Sequence, residues 1–175
     1  MNPLIISKYD ESCASLNSSL APKLLNLPEE QILKQTHFFE GRYENIYVDV
    51  NQFPELQHIL NQAKQYAGEI LEQDPDTLKI GCWINIMYKG HKTSLHRHDE
   101  YDELLSGVYY LQVPEDPGSF IALMSNKREE IPPKEGMFLF FYPTLEHEVS
   151  EHQSSLPRIS IAFNIGPISS EEDDM

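Results

Sequence analysis

The run SLHRHDEYDELLSGVYY, residues 94–110, places His96 and His98 one residue apart and follows them with Asp99, Glu100, Asp102 and Glu103. In an extended segment, residues i and i+2 share a face, so both imidazoles would aim at one point. A third histidine, His147, lies in FYPTLEHEVSEH, where an apolar run gives way to polar residues. Three such groups carried on two strand ends could hold a metal ion on one side and leave its other positions open. The spacing alone is equally compatible with His91, His96 and His98 decorating a polar hairpin, because an H-x-H pair is common on solvated strands.

The two-histidine, one-carboxylate version of such a set is the usual iron(II) arrangement in oxygenases. Two ligand sets are open here. One is His96, His98 and His147. The other shifts the frame by two residues and takes His98, Glu100 and His147. The first is preferred, because it puts His96 and His98 at a strand end and lets Asp99 begin the loop. Downstream, Arg158 opens the run RISIAFNI, so Arg158 and Ser160 share a face. A guanidinium fork beside a hydroxyl suits the carboxylate of a small acid. Taken singly, Arg158 could also be a surface residue paired with one of the many acids.

These residues need rigid elements to hold them. Residues 78–90 (LKIGCWINIMYKG), SGVYYLQV, SFIALM, GMFLFFYP and RISIAFNI are short β-rich runs separated by turn signals such as Lys89-Gly90 and Pro117-Gly118. That spacing predicts an antiparallel sandwich or barrel. Upstream, ELQHILNQAKQYAGEILEQ (55–73) repeats apolar residues at three- and four-residue intervals behind a first-turn Pro54, which predicts one amphipathic helix covering a sheet. A shorter helix is expected after Pro28, where Glu29 and Glu30 suit a first turn, and a strand over 42–50. His58 lies beside the helix face and reads as structural.

The bulk numbers set limits. A chain of 175 residues with 40% hydrophobic content suits one domain, expected over 1–168 with its β core at about 78–165, followed by an acidic disordered tail, 169–175. The formal charge is −15, and about −11 without the four tail acids, and no basic cluster interrupts it; nucleic acid is therefore a disfavoured partner. A small-molecule or peptidic substrate is expected, a homo-oligomer is left open, and no run is long enough for a membrane span. No basic, apolar leader precedes the chain, so a cytoplasmic location is the default. Cys13 and Cys82 read as two reduced thiols without a special role.

The order of motifs carries a resemblance. It runs Trp83-x-Asn85, His96-x-His98, then LSGVYYL (105–111), Gly136-x-Phe138-Leu139-Phe140-x-x-Pro143, His147-x-Val149 and RISIAFN (158–164). Over residues 80–165 this resembles the 2-oxoglutarate- and iron(II)-dependent oxygenases, specifically the small type common in phage and marine bacterial genomes. The resemblance implies a mainly β (α+β) fold, a double-stranded β-helix or jelly-roll, with N-terminal helices packed on one sheet. It implies iron(II), 2-oxoglutarate and O2, and hydroxylation of a substrate coupled to decarboxylation of 2-oxoglutarate to succinate. His96 and His147 match the family's two histidine positions. Arg158 matches the residue that pairs with the distal carboxylate of 2-oxoglutarate, with Ser160 as its hydroxyl neighbour; Asn85, Tyr88 and Tyr110 are candidates to line the cosubstrate pocket. The position of the family's usual carboxylate is occupied by His98. The rival expectation is a cupin-like metal-binding jelly-roll that binds or senses a small molecule without oxygenase activity, which would have no need of a cation at position 158.

Overall fold

The computed structural model describes residues 5–98 and 101–169. Two antiparallel sheets face each other. The larger has seven strands in the order β1 (Ile5–Tyr9), β9 (Met137–Phe141), β6 (Leu105–Gln112), β11 (Arg158–Pro167), β4 (Leu78–Met87), β3 (Arg42–Val48) and β2 (Ile32–Phe39). The smaller has four, ordered β5 (Thr93–His96), β10 (Glu146–Val149), β7 (Phe120–Met124) and β8 (Lys127–Ile131). This is the double-stranded β-helix that the motif order implied.

Strand alternation decides which residues meet the helices and which meet the cavity. Along β11, Ile159, Ile161, Phe163 and Ile165 enter the main apolar core, while Arg158, Ser160, Ala162 and Asn164 line the space between the sheets. The long helix α3 (Pro54–Leu71) lays Leu56, Ile59, Leu60, Ala63 and Ala67 into that core from outside, as its periodicity predicted. It stops where Glu72 turns left-handed, at φ 55. Helix α2 (Asn17–Leu25) adds Leu20, Ala21 and Leu24, and its Asn17 Oδ1 accepts a 2.6 Å hydrogen bond from the buried Tyr109 hydroxyl on β6. A short helix α1 (Glu11–Ala14), capped by Asp10, precedes it. No described helix is long and apolar enough to cross a membrane.

The upstream chain differs from expectation. After Pro28 there is only a 3-10 turn, Glu29–Gln31, and the chain then runs straight into β2; the helix of this region, α2, lies before Pro28. Glu40 and Gly41, both at positive φ (48° and 83°), close β2 and β3 into a tight hairpin of the kind that needs two left-handed residues. The hairpin joins the large sheet through Ile46 opposite Ile84, and this pairing overrides local helix preference. Lys127–Ile131 also forms a strand, an edge strand kept polar by Lys127, Arg128, Glu129 and Glu130. From Ser170 onward, the expected acidic tail lies outside the described residues.

Candidate metal and cosubstrate site

The histidines are brought together by the small sheet. β5 and β10 pair with His96 directly opposite His147. His98 lies just beyond β5, where its backbone N–H donates 2.8 Å to the Pro143 carbonyl and so fixes the loop beside the pair. Ring centroids stand 4.2 Å apart for His96 and His147, 4.9 Å for His96 and His98, and 5.1 Å for His98 and His147. One nitrogen from each of the three lies within 4.8 Å of the others. His147 sits in a short strand of its own, β10, rather than after the preceding strand as its sequence context suggested.

The chemistry of these nitrogens fits a metal. Nδ1 of His96 lies 2.7 Å from the Ser94 carbonyl, and Nδ1 of His147 2.9 Å from the Leu145 carbonyl. A carbonyl only accepts, so Nδ1 carries the proton in both rings and Nε2 keeps its lone pair for a metal. Burial pulls His147 down to about 3 and His98 down to about 4, with the His96 ring adding to both shifts. Both imidazoles are therefore neutral near pH 7, the form that ligates. Phe120 stacks on His147 at 5.0 Å and Phe141 packs against it at 4.7 Å, which holds the ring and keeps water off one side.

A cavity of about 470 Å³ opens between the sheets from these histidines. Its large-sheet wall carries Arg158, Ser160, Asn85 and Tyr110. Ser160 stands opposite Asn85 on one side and Tyr110 on the other, so the three form a row across β4, β11 and β6. Arg158 is 2% exposed. Its Nη1 donates 2.9 Å to the Pro117 carbonyl, its Cζ lies 5.3 Å over the Tyr110 ring, and its buried Nε has no hydrogen-bond partner. Burial lowers the guanidinium pKa and raises that of Tyr110. A buried cation with an unused donor, beside a hydroxyl and inside a cavity, is a receptor for an anion.

Tyr88 is not part of this wall. It is 49% exposed, sits past the end of β4 and packs on His91, whose Nδ1 accepts from the Tyr88 N–H. His91 is thus a turn residue. Glu100, the alternative ligand, lies outside the described residues, as does Asp99. His58 meets Ser12 Oγ at 3.0 Å, away from the histidine cluster, and burial pushes Cys13 up to about 11 and Cys82 up to about 12, so both thiols stay protonated. The hairpin contributes cavity residues that the sequence did not single out: Thr36, His37, Glu44, Asn45 and Tyr47.

Comparison with known proteins agrees with this geometry. Residues 82–166 match the 2OG-Fe(II) oxygenase superfamily. That match spans the segments that carry the three histidines and Arg158, and with the histidine cluster it supports an iron(II)- and 2-oxoglutarate-dependent oxidoreductase, with iron(II), 2-oxoglutarate and O2 as the reagents of the site. Among solved structures, a Pseudomonas putida prolyl-4-hydroxylase superposes with a TM-score of 0.75 at 17% identity, covering 96% of this chain and 95% of that one. A viral collagen prolyl hydroxylase from Paramecium Bursaria Chlorella virus-1, solved with 2OG, gives 0.59 at 15% identity, covering 93% and 96%. The epimerase SnoN from nogalamycin biosynthesis, solved with Fe3+, alpha ketoglutarate and nogalamycin RO, gives 0.69 at 12% identity, covering 93% and 78%. No curated protein matches the chain in sequence.

Proposed function

We propose that the chain is a dioxygenase that hydroxylates an organic substrate while 2-oxoglutarate is oxidatively decarboxylated to succinate and carbon dioxide, one atom of O2 entering the new hydroxyl and the other the succinate. The observation that carries this reading is the pairing, in one cavity, of three converging imidazoles with a buried, under-bonded guanidinium on the opposite sheet. His96, His98 and His147 would hold iron(II), which when bound supplies the oxidising chemistry. Arg158, with Ser160 beside it, would fix the distal carboxylate of 2-oxoglutarate, and Asn85 and Tyr110 would flank it. Phe120, Phe141 and Val108 narrow the cavity between the two groups and exclude water there. The same buried cation favours this reading over a cupin-like sensor.

The finer assignment to the small phage and marine bacterial type rests on the motif order alone and stays part of the proposal. The likeness to two prolyl hydroxylases makes a prolyl-bearing peptide the first substrate to try. The test is succinate release from 2-oxoglutarate by the purified chain with iron(II) and ascorbate, with and without peptide, together with calorimetric titration of 2-oxoglutarate into the zinc-loaded protein. Uncoupled succinate release and binding are expected in the wild type; absence of 2-oxoglutarate binding by the metal-loaded chain defeats the reading.

A further inference from the structure

Glu44 is a carboxylate without adequate company. It stands on β3 at the cavity wall, 7% exposed, and its Oε1 is buried with no hydrogen-bond partner. Its ion-pair partner, Arg42 Nη2, is 4.0 Å away, beyond hydrogen-bond range. The Arg42 donors are directed elsewhere, to Asn85 Oδ1 (3.3 Å), the Ile86 carbonyl (3.4 Å) and the Lys92 carbonyl (3.3 Å). Burial pushes the Glu44 carboxyl pKa up; Arg42, then His96, His37 and the Ser94 backbone, oppose that shift. An ionised carboxylate kept inside a protein with so little pairing is costly, unless a cation arrives to complete it.

The three-histidine set lacks what such a carboxylate could give. Three neutral imidazoles leave a divalent metal with its whole charge, where a carboxylate ligand would offset part of it. Glu44 shares a cavity wall with the set. It lines the same cavity as His96, His147 and Ser94, the residue whose carbonyl holds His96 Nδ1.

We propose that Glu44 supplies, through space and from the shared cavity wall, the negative charge that a three-histidine metal centre lacks among its own ligands. This rests on the three-histidine reading above. Glu44 is then a positioning and charge-balancing residue, not a ligand. Two effects of opposite sign follow from that role. Loss of its charge weakens a divalent cation at the histidines and tightens the dianion 2-oxoglutarate on the metal-loaded protein. A residue that merely props up the wall would, when lost, weaken both.

The experiment titrates cobalt(II) into the full chain, followed by its visible absorption, and then titrates 2-oxoglutarate into the cobalt-loaded protein by calorimetry. For Glu44→Gln the expectation is about tenfold weaker cobalt binding, the size found for residues that support metal ligands from outside. The absorption envelope should be unchanged, because the ligands are the same, and 2-oxoglutarate should bind more tightly than in the wild type. Arg42→Met is the second variant, should Glu44→Gln fail to fold: it leaves the Glu44 charge unopposed and should tighten cobalt. Unchanged cobalt affinity in a folded Glu44→Gln, joint weakening of cobalt and 2-oxoglutarate, or weaker cobalt in Arg42→Met each overturns the charge-balancing role. A wild-type chain that binds no cobalt overturns the three-histidine reading as well.

Discussion

Replacing Arg158 by methionine separates function from folding, because the two should move in opposite directions. The methionine fills most of the volume and removes the charge. On the stability side, the Pro117 carbonyl loses its 2.9 Å donor, worth about 1 kcal/mol, and the contact over Tyr110 goes, worth about 0.5–2 kcal/mol. Against this, a guanidinium 2% exposed, hydrogen-bonded to a backbone carbonyl and with an unpaired Nε, no longer has to be desolvated, a relief of several kcal/mol. The net expectation without ligand is a protein about as stable as the wild type, or about 1 kcal/mol more so, a rise in melting temperature of about 2–4 °C.

Ligand binding should show the opposite. A charge-assisted pair to a carboxylate is worth about 1.5–3 kcal/mol, so 2-oxoglutarate should bind about ten- to hundredfold more weakly. At a concentration of about 100 times the wild-type Kd, 2-oxoglutarate stabilises the wild type by about 2.7 kcal/mol and the variant by only about 0.4–1.4 kcal/mol. Differential scanning calorimetry of the zinc-loaded proteins, with and without 2-oxoglutarate, reads both numbers in one series. A variant that melts well below the wild type yet keeps the full 2-oxoglutarate increment would show that Arg158 is a structural clasp and that the cosubstrate sits elsewhere.

The ligand frame is tested by measuring zinc stoichiometry in His96→Ala and Glu100→Ala: the first should lose the metal and the second keep it, and the reverse pattern would install Glu100. Glu55 accepts from Lys23 Nζ at 2.6 Å and Ser19 Oγ at 2.7 Å, and these bonds, Lys23 first, hold its carboxyl down to about 2. The folded value lies below the unfolded one, so the contribution is complete above about pH 4.5 and is lost as pH falls through about 2. Because Lys23 is half-exposed, Glu55→Gln should cost only about 1–2 kcal/mol in urea melts at pH 7, with the gap to wild type closing near pH 2; a gap that persists there refutes the assignment. In Gly107→Ala the new Cβ would stand 2.5 Å from Phe163 Cε2 and 2.7 Å from the Leu139 carbonyl, on a sheet that cannot part locally, so a loss of about 2–3 kcal/mol is expected and a neutral melt would be the contrary result.

Legibility followed strand parity. RISIAFNI alternates cleanly, and that was enough to put Arg158 and Ser160 on one face and the isoleucines on the other. The same rule weighs against Tyr88: Trp83 and Asn85 share the cavity face of β4, Tyr88 has the other parity, and the strand ends at Met87. The second strand of the hairpin was legible, but its first strand and its turn were not, for two physical reasons. ILKQTHFF does not alternate apolar and polar residues and its pairing with β3 shifts register between Ile32 and Lys34, and Glu40-Gly41 is a weaker turn signal than Asn-Gly. Glu44 was invisible for a third. In a chain with 28 acids nothing local marks it, and its burial depends on β5 crossing beside β3, a contact between distant segments.

The two halves of the site belong to different sheets. His96 and His147 are fixed by β5 and β10 of the small sheet, whereas Arg158, Ser160 and Asn85 are fixed by β11 and β4 of the large one. Among the described residues no backbone ladder joins the two sheets and sets the distance between them. That distance is set by the second apolar cluster, in which Phe120 and Leu145, from the small sheet and the turn into β10, pack on Tyr110, Leu139 and Phe141 of the large sheet. Close-packed aromatic contacts such as Phe120 to Phe141, at 5.0 Å, resist compression and separation alike. The apolar residues beside the cavity therefore act as spacers between an imidazole face and a guanidinium face. A run as plain as GMFLFFYP thus carries, in Leu139 and Phe141, part of the spacing that a cosubstrate of limited reach bridging metal and arginine would require.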